Sequence, residues 1–257
     1  MWGESVASAL PTVLAPFGEL VGLAAGARGL RAAVQAPRTA DLVAVPRPEV
    51  PRHDTSSTVP VLLVHGYLGS TTTWSTVARA LHGAGFANVF TFRYNTLAAT
   101  IPDIAAQLHR MAHEAMDRTG EGRVHLVGHS LGGLMTRYAV QRLGLAADAW
   151  GVVTVATPHR GSAFAYAAVG AAGPQMRPGA ELIAGLPPLR STEGVQWLVV
   201  DAAHDVVAPR VAHEGVDGAV LPSWGHQTIL RQPALARLVT DHLLVCQFGT
   251  TTSRTAG

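Results

Sequence analysis

The stretch Val124-His125-Leu126-Val127-Gly128-His129-Ser130-Leu131-Gly132-Gly133 decides how this chain is read. Residues 124–128 form an apolar run that reads as a strand, and Leu131, Leu134, Met135 and Tyr138 mark a helix directly behind it. Between the two stands Gly-x-Ser-x-Gly. A strand that turns straight into a helix forces the central residue into a strained backbone, and Gly128 and Gly132 remove the side chains that would clash around it. The turn holds the Ser130 hydroxyl at a helix N-terminus. There the positive end of the helix dipole and the free N–H of Leu131 can stabilise an oxyanion. Neighbours on a tight turn point apart, so His129 is expected to support the turn rather than serve as a base, and Gly133 to give room for close packing.

Outward from this point, strands alternate with helices. Residues 59–65 contain the continuous apolar run Val61-Leu62-Leu63-Val64, which suits a strand buried on both faces. Trp74, Val77, Ala78 and Leu81 follow at helical spacing, stopped by Gly83 and Gly85. Residues 88–92 read as a second strand. Thr100 caps a helix with Pro102 in its first turn and Ile101, Ile104, Ala105, Leu108 and Met111 as its apolar stripe. After the strand at 124–128 come strand candidates at 152–155, 196–200 and 219–221, and a final helix at 233–244. The expected fold class is α/β, a predominantly parallel sheet of about six strands with helices on both faces. In such sheets reactive groups sit at the carboxyl ends of the strands.

Composition narrows the chemistry. In 257 residues, 48% are hydrophobic and 14% charged, enough to bury a sizeable core. All 19 basic residues are arginine, which excludes Schiff-base chemistry, a Walker A phosphate loop and a Ser-Lys dyad. The net charge is only +2 and no arginine run stands out, so no nucleic-acid partner is expected. The single cysteine, Cys246, excludes an intramolecular disulfide and a multi-cysteine zinc site. No Cys, His and carboxylate cluster shows ligand spacing, so neither metal nor organic cofactor is expected.

The stretch at 124–133 resembles the nucleophile elbow of the α/β-hydrolase superfamily, and more narrowly that of compact bacterial triacylglycerol lipases and esterases. Val61-Leu62-Leu63-Val64-His65-Gly66-Tyr67-Leu68-Gly69 resembles their strand and oxyanion loop. Ala156-Thr157-Pro158-His159-Arg160-Gly161-Ser162 resembles the loop they carry after the next strand. The resemblance covers residues 59–244. It implies an α/β-hydrolase fold and a serine nucleophile, Ser130, followed in chain order by an acid and a histidine. Asp205, in Asp205-Val206-Val207-Ala208-Pro209, matches the acid loop. Asp201, at the strand end, is the runner-up. His226, in Ser223-Trp224-Gly225-His226-Gln227, resembles the family's Gly-His loop, whereas His204, His213 and His242 read as structural or solvated. The resemblance also assigns the second oxyanion donor to the backbone N–H of Tyr67, with Gly66 letting the backbone approach the substrate carbonyl. His159 reads as a wall residue and Arg160 as a solvated cation.

The implied activity is hydrolysis of carboxylic esters, of lipid or medium acyl chain length, through an acyl-enzyme. Acyl transfer or thioester or amide cleavage would use the same machinery, and a non-catalytic binding protein on a hydrolase scaffold is the remote alternative. Residues 163–194 are rich in Ala, Gly and Pro. They read as either a cap or lid, with a short helix at 180–186, or a loop packed on the body. The remainder divides into an N-terminal segment, 1–58, and the hydrolase domain, 59–257. Residues 5–18 are apolar but short of the roughly 20 residues of a membrane span, and no positive stretch precedes them. Residues 20–34 read as a helix packed on the domain or as a membrane-surface or lipid-surface contact, and 37–60 as linker or irregular loop. The expected location is cytoplasmic or membrane-associated, with secretion as the alternative.

Overall fold

The central strands are apolar on both faces, and their alternate residues feed two separate cores. The computed structural model describes residues 40–47, 57–223 and 225–249. Seven strands form one sheet: β1 (Asp41–Ala44), β2 (Val61–Val64), β3 (Val89–Arg93), β4 (Val124–His129), β5 (Ala149–Val155), β6 (Gln196–Ala202) and β7 (Asp217–Leu221), in the spatial order β1-β3-β2-β4-β5-β6-β7. All neighbours run parallel except β1, which pairs antiparallel with β3. On one face Leu62, Val64, Phe90, Phe92, Leu126 and Val152 pack with helices α2 (Ile101–Thr119) and α3 (Leu131–Arg142). On the other, Val61, Leu63, Val127, Val153, Val155 and Val200 pack with α1 (Ser75–Gly83) and α5 (Pro233–Phe248). This is the expected α/β-hydrolase architecture, with helices on both faces.

The sheet has seven strands rather than about six. The addition, β1, falls inside 37–60, so the reading of that stretch as linker does not hold at Asp41–Ala44. In its four residues only Leu42 is buried, too little for an alternation to register in the sequence. Its identity as a strand comes from pairing with β3, Leu42 opposite Phe92. The expected anchor or helix within 1–34 lies outside the described residues. Among those described, no helix is long and apolar enough to cross a membrane.

Helix α2 begins where its sequence predicts. Asp103 donates its backbone N–H to the Thr100 hydroxyl, while its carboxylate accepts from the Thr100 N–H, a reciprocal capping box. It ends at Gly120 in the left-handed region, φ 73°. The expected helix at 180–186 shrinks to α4, Glu181–Ala184, within a region otherwise made of short 3-10 turns at Ala163–Tyr166, Pro174–Met176 and Leu189–Ser191.

Candidate active site

Ser130 joins the end of β4 to the first residue of α3 with φ 54° and ψ −123°, a conformation that costs a non-glycine residue energy and is held by its surroundings. Its N–H donates to the carbonyl of Val155 at 2.9 Å, tying the turn to the end of β5. The glycines are required by close approach. A Cβ on Gly128 would stand 2.7 Å from both Gly132 O and Gly133 Cα. One on Gly132 would run into the carbonyl oxygens of Val64 and His65, and one on Gly133 into the Thr157 side chain. Backbone cannot yield here, so helix α3 can lie against the end of β2 only without those side chains.

The structure brings Ser130, His226 and Asp205 together from three loops. The Ser130 hydroxyl donates to His226 Nε2 at 2.7 Å, and His226 Nδ1–H donates to Asp205 Oδ2 at 2.8 Å. A carboxylate can only accept, so it fixes the tautomer that leaves Nε2 free to take the serine proton. The side chains of His226 and Asp205 are almost wholly buried, and Asp205 Oδ1 accepts from the N–H groups of Val207 and Ala208, both at 2.9 Å. These bonds explain why the acid stands before Val-Val-x-Pro: the turn that follows it orients the carboxylate. Asp201 lies within β6 and pairs with neither. Burial, then the nearby charge of Asp205, pushes its carboxyl up to about 6.

His129 turns away from the reacting side. Its Nε2–H donates to the main-chain carbonyl of His226 at 3.0 Å, and the Trp74 ring meets it edge-on. Burial, and next the charge of His226, keep it neutral, well below the ordinary histidine range. It therefore supports not only the turn but the loop carrying His226.

On the opposite wall, Gly66 lies so close that a Cβ would stand 2.9 Å from both the Ser130 Cβ and His129 Nδ1. The backbone here is fixed from behind. Tyr94 donates its hydroxyl to the His65 carbonyl and its ring stacks on His65 at 4.2 Å, while the N–H of Leu68, itself at φ 52°, donates to Thr96 Oγ1. Burial lowers His65 to about 4, so it stays a neutral packing residue. Tyr94 and Thr96 carry no pattern that would have singled them out in the sequence. Among the described residues, the N–H groups of Tyr67 and Leu131 are engaged by no hydrogen bond, and both residues flank the serine.

A cavity of about 300 Å3 opens at Ser130 and His226. Its far wall is Phe164, Ala165, Ala168, Val169 and Met176, with Tyr67 and Val207 beside the serine, so among the described residues no carboxylate or arginine lines it. Tyr67 also anchors that wall: its hydroxyl donates to Val169 O at 2.7 Å and accepts from Val169 N at 2.9 Å. Residues 163–176 are thus the part of 163–194 that covers the serine. Helix α4 lines a different cavity, as do His159 and Arg160. His213 shares that second cavity, and His242 lies on α5, donating or accepting at no catalytic group. Cys246 is buried and its thiol is pushed up to about 12. Among the described residues, no three His, Cys, Asp or Glu side chains converge so as to hold a metal ion.

Residues 57–176 match the family model described as "Putative serine esterase (DUF676)". The fold is similar to that of the mature lipase BlEst2 of Bacillus licheniformis, with a TM-score of 0.63 at 17% identity, covering 81% of this chain and 98% of that one. It is also similar to an alpha-beta serine hydrolase homologue from Coxiella burnetii (TM-score 0.57, 16% identity, 81% and 94% covered). A thermophilic esterase from Thermogutta terrifontis matches at a TM-score of 0.54 and 16% identity, with 80% and 93% covered. At these identities the likeness is one of fold.

Proposed function

Since the chain has an α/β-hydrolase fold, we propose that it hydrolyses carboxylic esters of lipid or medium-chain acids, with Ser130 as nucleophile, His226 as general base and acid, and Asp205 as the group that orients it. The match to a serine esterase family supports ester hydrolysis in general. The observation that carries the finer reading is the hydrogen-bonded chain Ser130–His226–Asp205 at the mouth of an apolar cavity.

In this reading Ser130 Oγ attacks the ester carbonyl carbon as its proton passes to His226 Nε2. The negative charge moves to the former carbonyl oxygen, where the N–H groups of Leu131 and Tyr67 meet it. Such donors are worth about 3–4 kcal/mol each when aimed at the transition state. The imidazolium returns its proton to the departing alcohol, leaving an acyl-serine. A water then attacks with His226 as base, and the carboxylic acid leaves. Asp205 keeps the imidazole oriented throughout, its carboxylate held by two backbone N–H groups. The acyl chain gains about 0.8 kcal/mol for each methylene removed from water against the Phe164 to Met176 wall, which favours longer over two-carbon acyl groups.

The test is hydrolysis of p-nitrophenyl esters with acyl chains from two to sixteen carbons, by the wild type and Ser130→Ala. Turnover should fall by about 10^6 in the variant, with an optimum above the shortest chain in the wild type. Equal inactivity of both proteins, with circular dichroism unchanged, would overturn the ester reading and turn the search to other acyl substrates.

A further inference from the structure

The loop after β5 divides its residues between two cavities. Pro158 and Ser162 line the serine's cavity, whereas His159 and Arg160 line a second one of about 530 Å3. The second differs in character. Three arginines, Arg137, Arg160 and Arg190, line it, with Glu214 as the one carboxylate.

Arg137 is 5% exposed. Its guanidinium donates to Gln141 Oε1 at 3.0 Å and to the carbonyls of Pro187 and His159 at 2.7 and 3.3 Å, all neutral oxygens. Among the described residues neither Arg137 nor Arg160 has a carboxylate at ion-pair distance. Glu214 is highly exposed and sits 3.5 Å from Arg190, an arrangement weakened by solvent. On the same wall His213 Nε2 is buried with no hydrogen-bond partner, and its ring meets that of His159 at 4.6 Å. A buried cation without a counter-charge is costly, and a buried ring nitrogen without a partner adds to that cost. The cavity therefore carries an unmet demand for negative charge. Planar guanidinium groups match the paired oxygens of carboxylate and phosphate better than they match a spherical halide.

We propose that this second cavity binds a small oxyanion, a carboxylate or phosphate group, contacted by Arg160 and Arg190 with the Arg137 charge behind them. This site is separate from the ester chemistry and shares with it the loop at 157–162 and helix α3. Arg137 also ties the carbonyls of Leu186 and Pro187 to α3.

The experiment follows the melting temperature of the full chain against inorganic phosphate and, separately, succinate, with sodium chloride at matched ionic strength as control. Both the wild type and Arg160→Ser/Arg190→Ser are measured. A saturable rise of a few degrees in the wild type, absent with chloride and lost in the double variant, is the expected result. A rise with phosphate alone assigns a phosphate group, and one with succinate alone a carboxylate. No saturable rise with either, or one that persists undiminished in the double variant, overturns the proposal. Glu214→Gln provides a readout that does not depend on the double variant folding. Removing the competing carboxylate should tighten binding of the effective anion several-fold, and unchanged or weaker binding would contradict the site.

Discussion

His129 and His226 are joined by a hydrogen bond from the Nε2 of the first to the main-chain oxygen of the second, 3.0 Å long and buried from water. The residue beside Ser130 thus holds in place the loop that carries His226, across a separation of 97 residues. His129→Ala should therefore act through positioning. Turnover is expected to fall by up to about 100-fold, with a smaller change in KM, because a displacement of about 1 Å at the base is enough for that loss. His129→Gln, which can still donate to the carbonyl, should recover part of it. Equal losses of turnover in both variants, or a rise in KM with turnover unchanged, would contradict this role.

The two neighbouring aspartates should separate cleanly. Asp205→Asn removes the acceptor that sets the His226 tautomer and should lower turnover by about 10^4-fold without unfolding the protein. Asp201→Asn should leave turnover within about tenfold. Its effect belongs to stability. The Asp201 carboxyl is pushed up to about 6 by burial and by Asp205, so its folded form favours the proton. The stability it contributes is complete below about pH 4 and is lost as pH rises through about 6. Asp201→Asn should be more stable than the wild type at pH 8 by about 1–2 kcal/mol, allowing for partial screening by water, and should show no gain at pH 4. Urea midpoints at the two pH values check both signs.

Acid should weaken the fold through its buried histidines. Burial lowers His65 and His125 to about 4, and holds His129 well below its ordinary value. The unfolded chain protonates these rings near pH 6.5, whereas the folded chain keeps them neutral. Below that pH the unfolded state binds more protons, so stability falls as pH drops from about 6.5 toward 4 and these groups cease to matter above about 7. A urea midpoint that stayed level from pH 7 to pH 4.5 in Asp201→Asn, where the opposing carboxyl is gone, would contradict the assignment.

Tyr67 is assigned two separable tasks. Its backbone N–H would serve the oxyanion, and its hydroxyl ties down Val169 from both sides. Tyr67→Phe deletes only the second. The pair is exposed, so stability should change by less than about 1 kcal/mol. Hydrolysis of short esters should stay within about threefold. The Val169 amide should exchange faster with solvent, and the preference for long over short acyl chains should flatten. An unchanged exchange rate would show that Tyr67 does not hold the covering segment.

Much of this was legible in the sequence because it is local. A strand, a Gly-x-Ser-x-Gly turn and a helix occupy consecutive residues, and the same sterics that demand glycine at 128 and 132 write themselves into the chain. Apolar runs such as Val61–Val64 announced parallel strands for the same reason: burial on both faces leaves few polar positions. Thr100, Pro102 and Asp103 set the start of α2 through contacts no more than three residues apart. What the chain could not announce was decided by residues far apart in sequence. Strand β1 exists because β3 offers it an edge. The choice of Asp205 over Asp201, four residues earlier, becomes geometric only when the turn at 205–208 faces His226. The division of one short loop between an apolar cavity and an arginine-lined one depends on which elements pack against each side, and side-chain direction on a loop has no period from which it could be read.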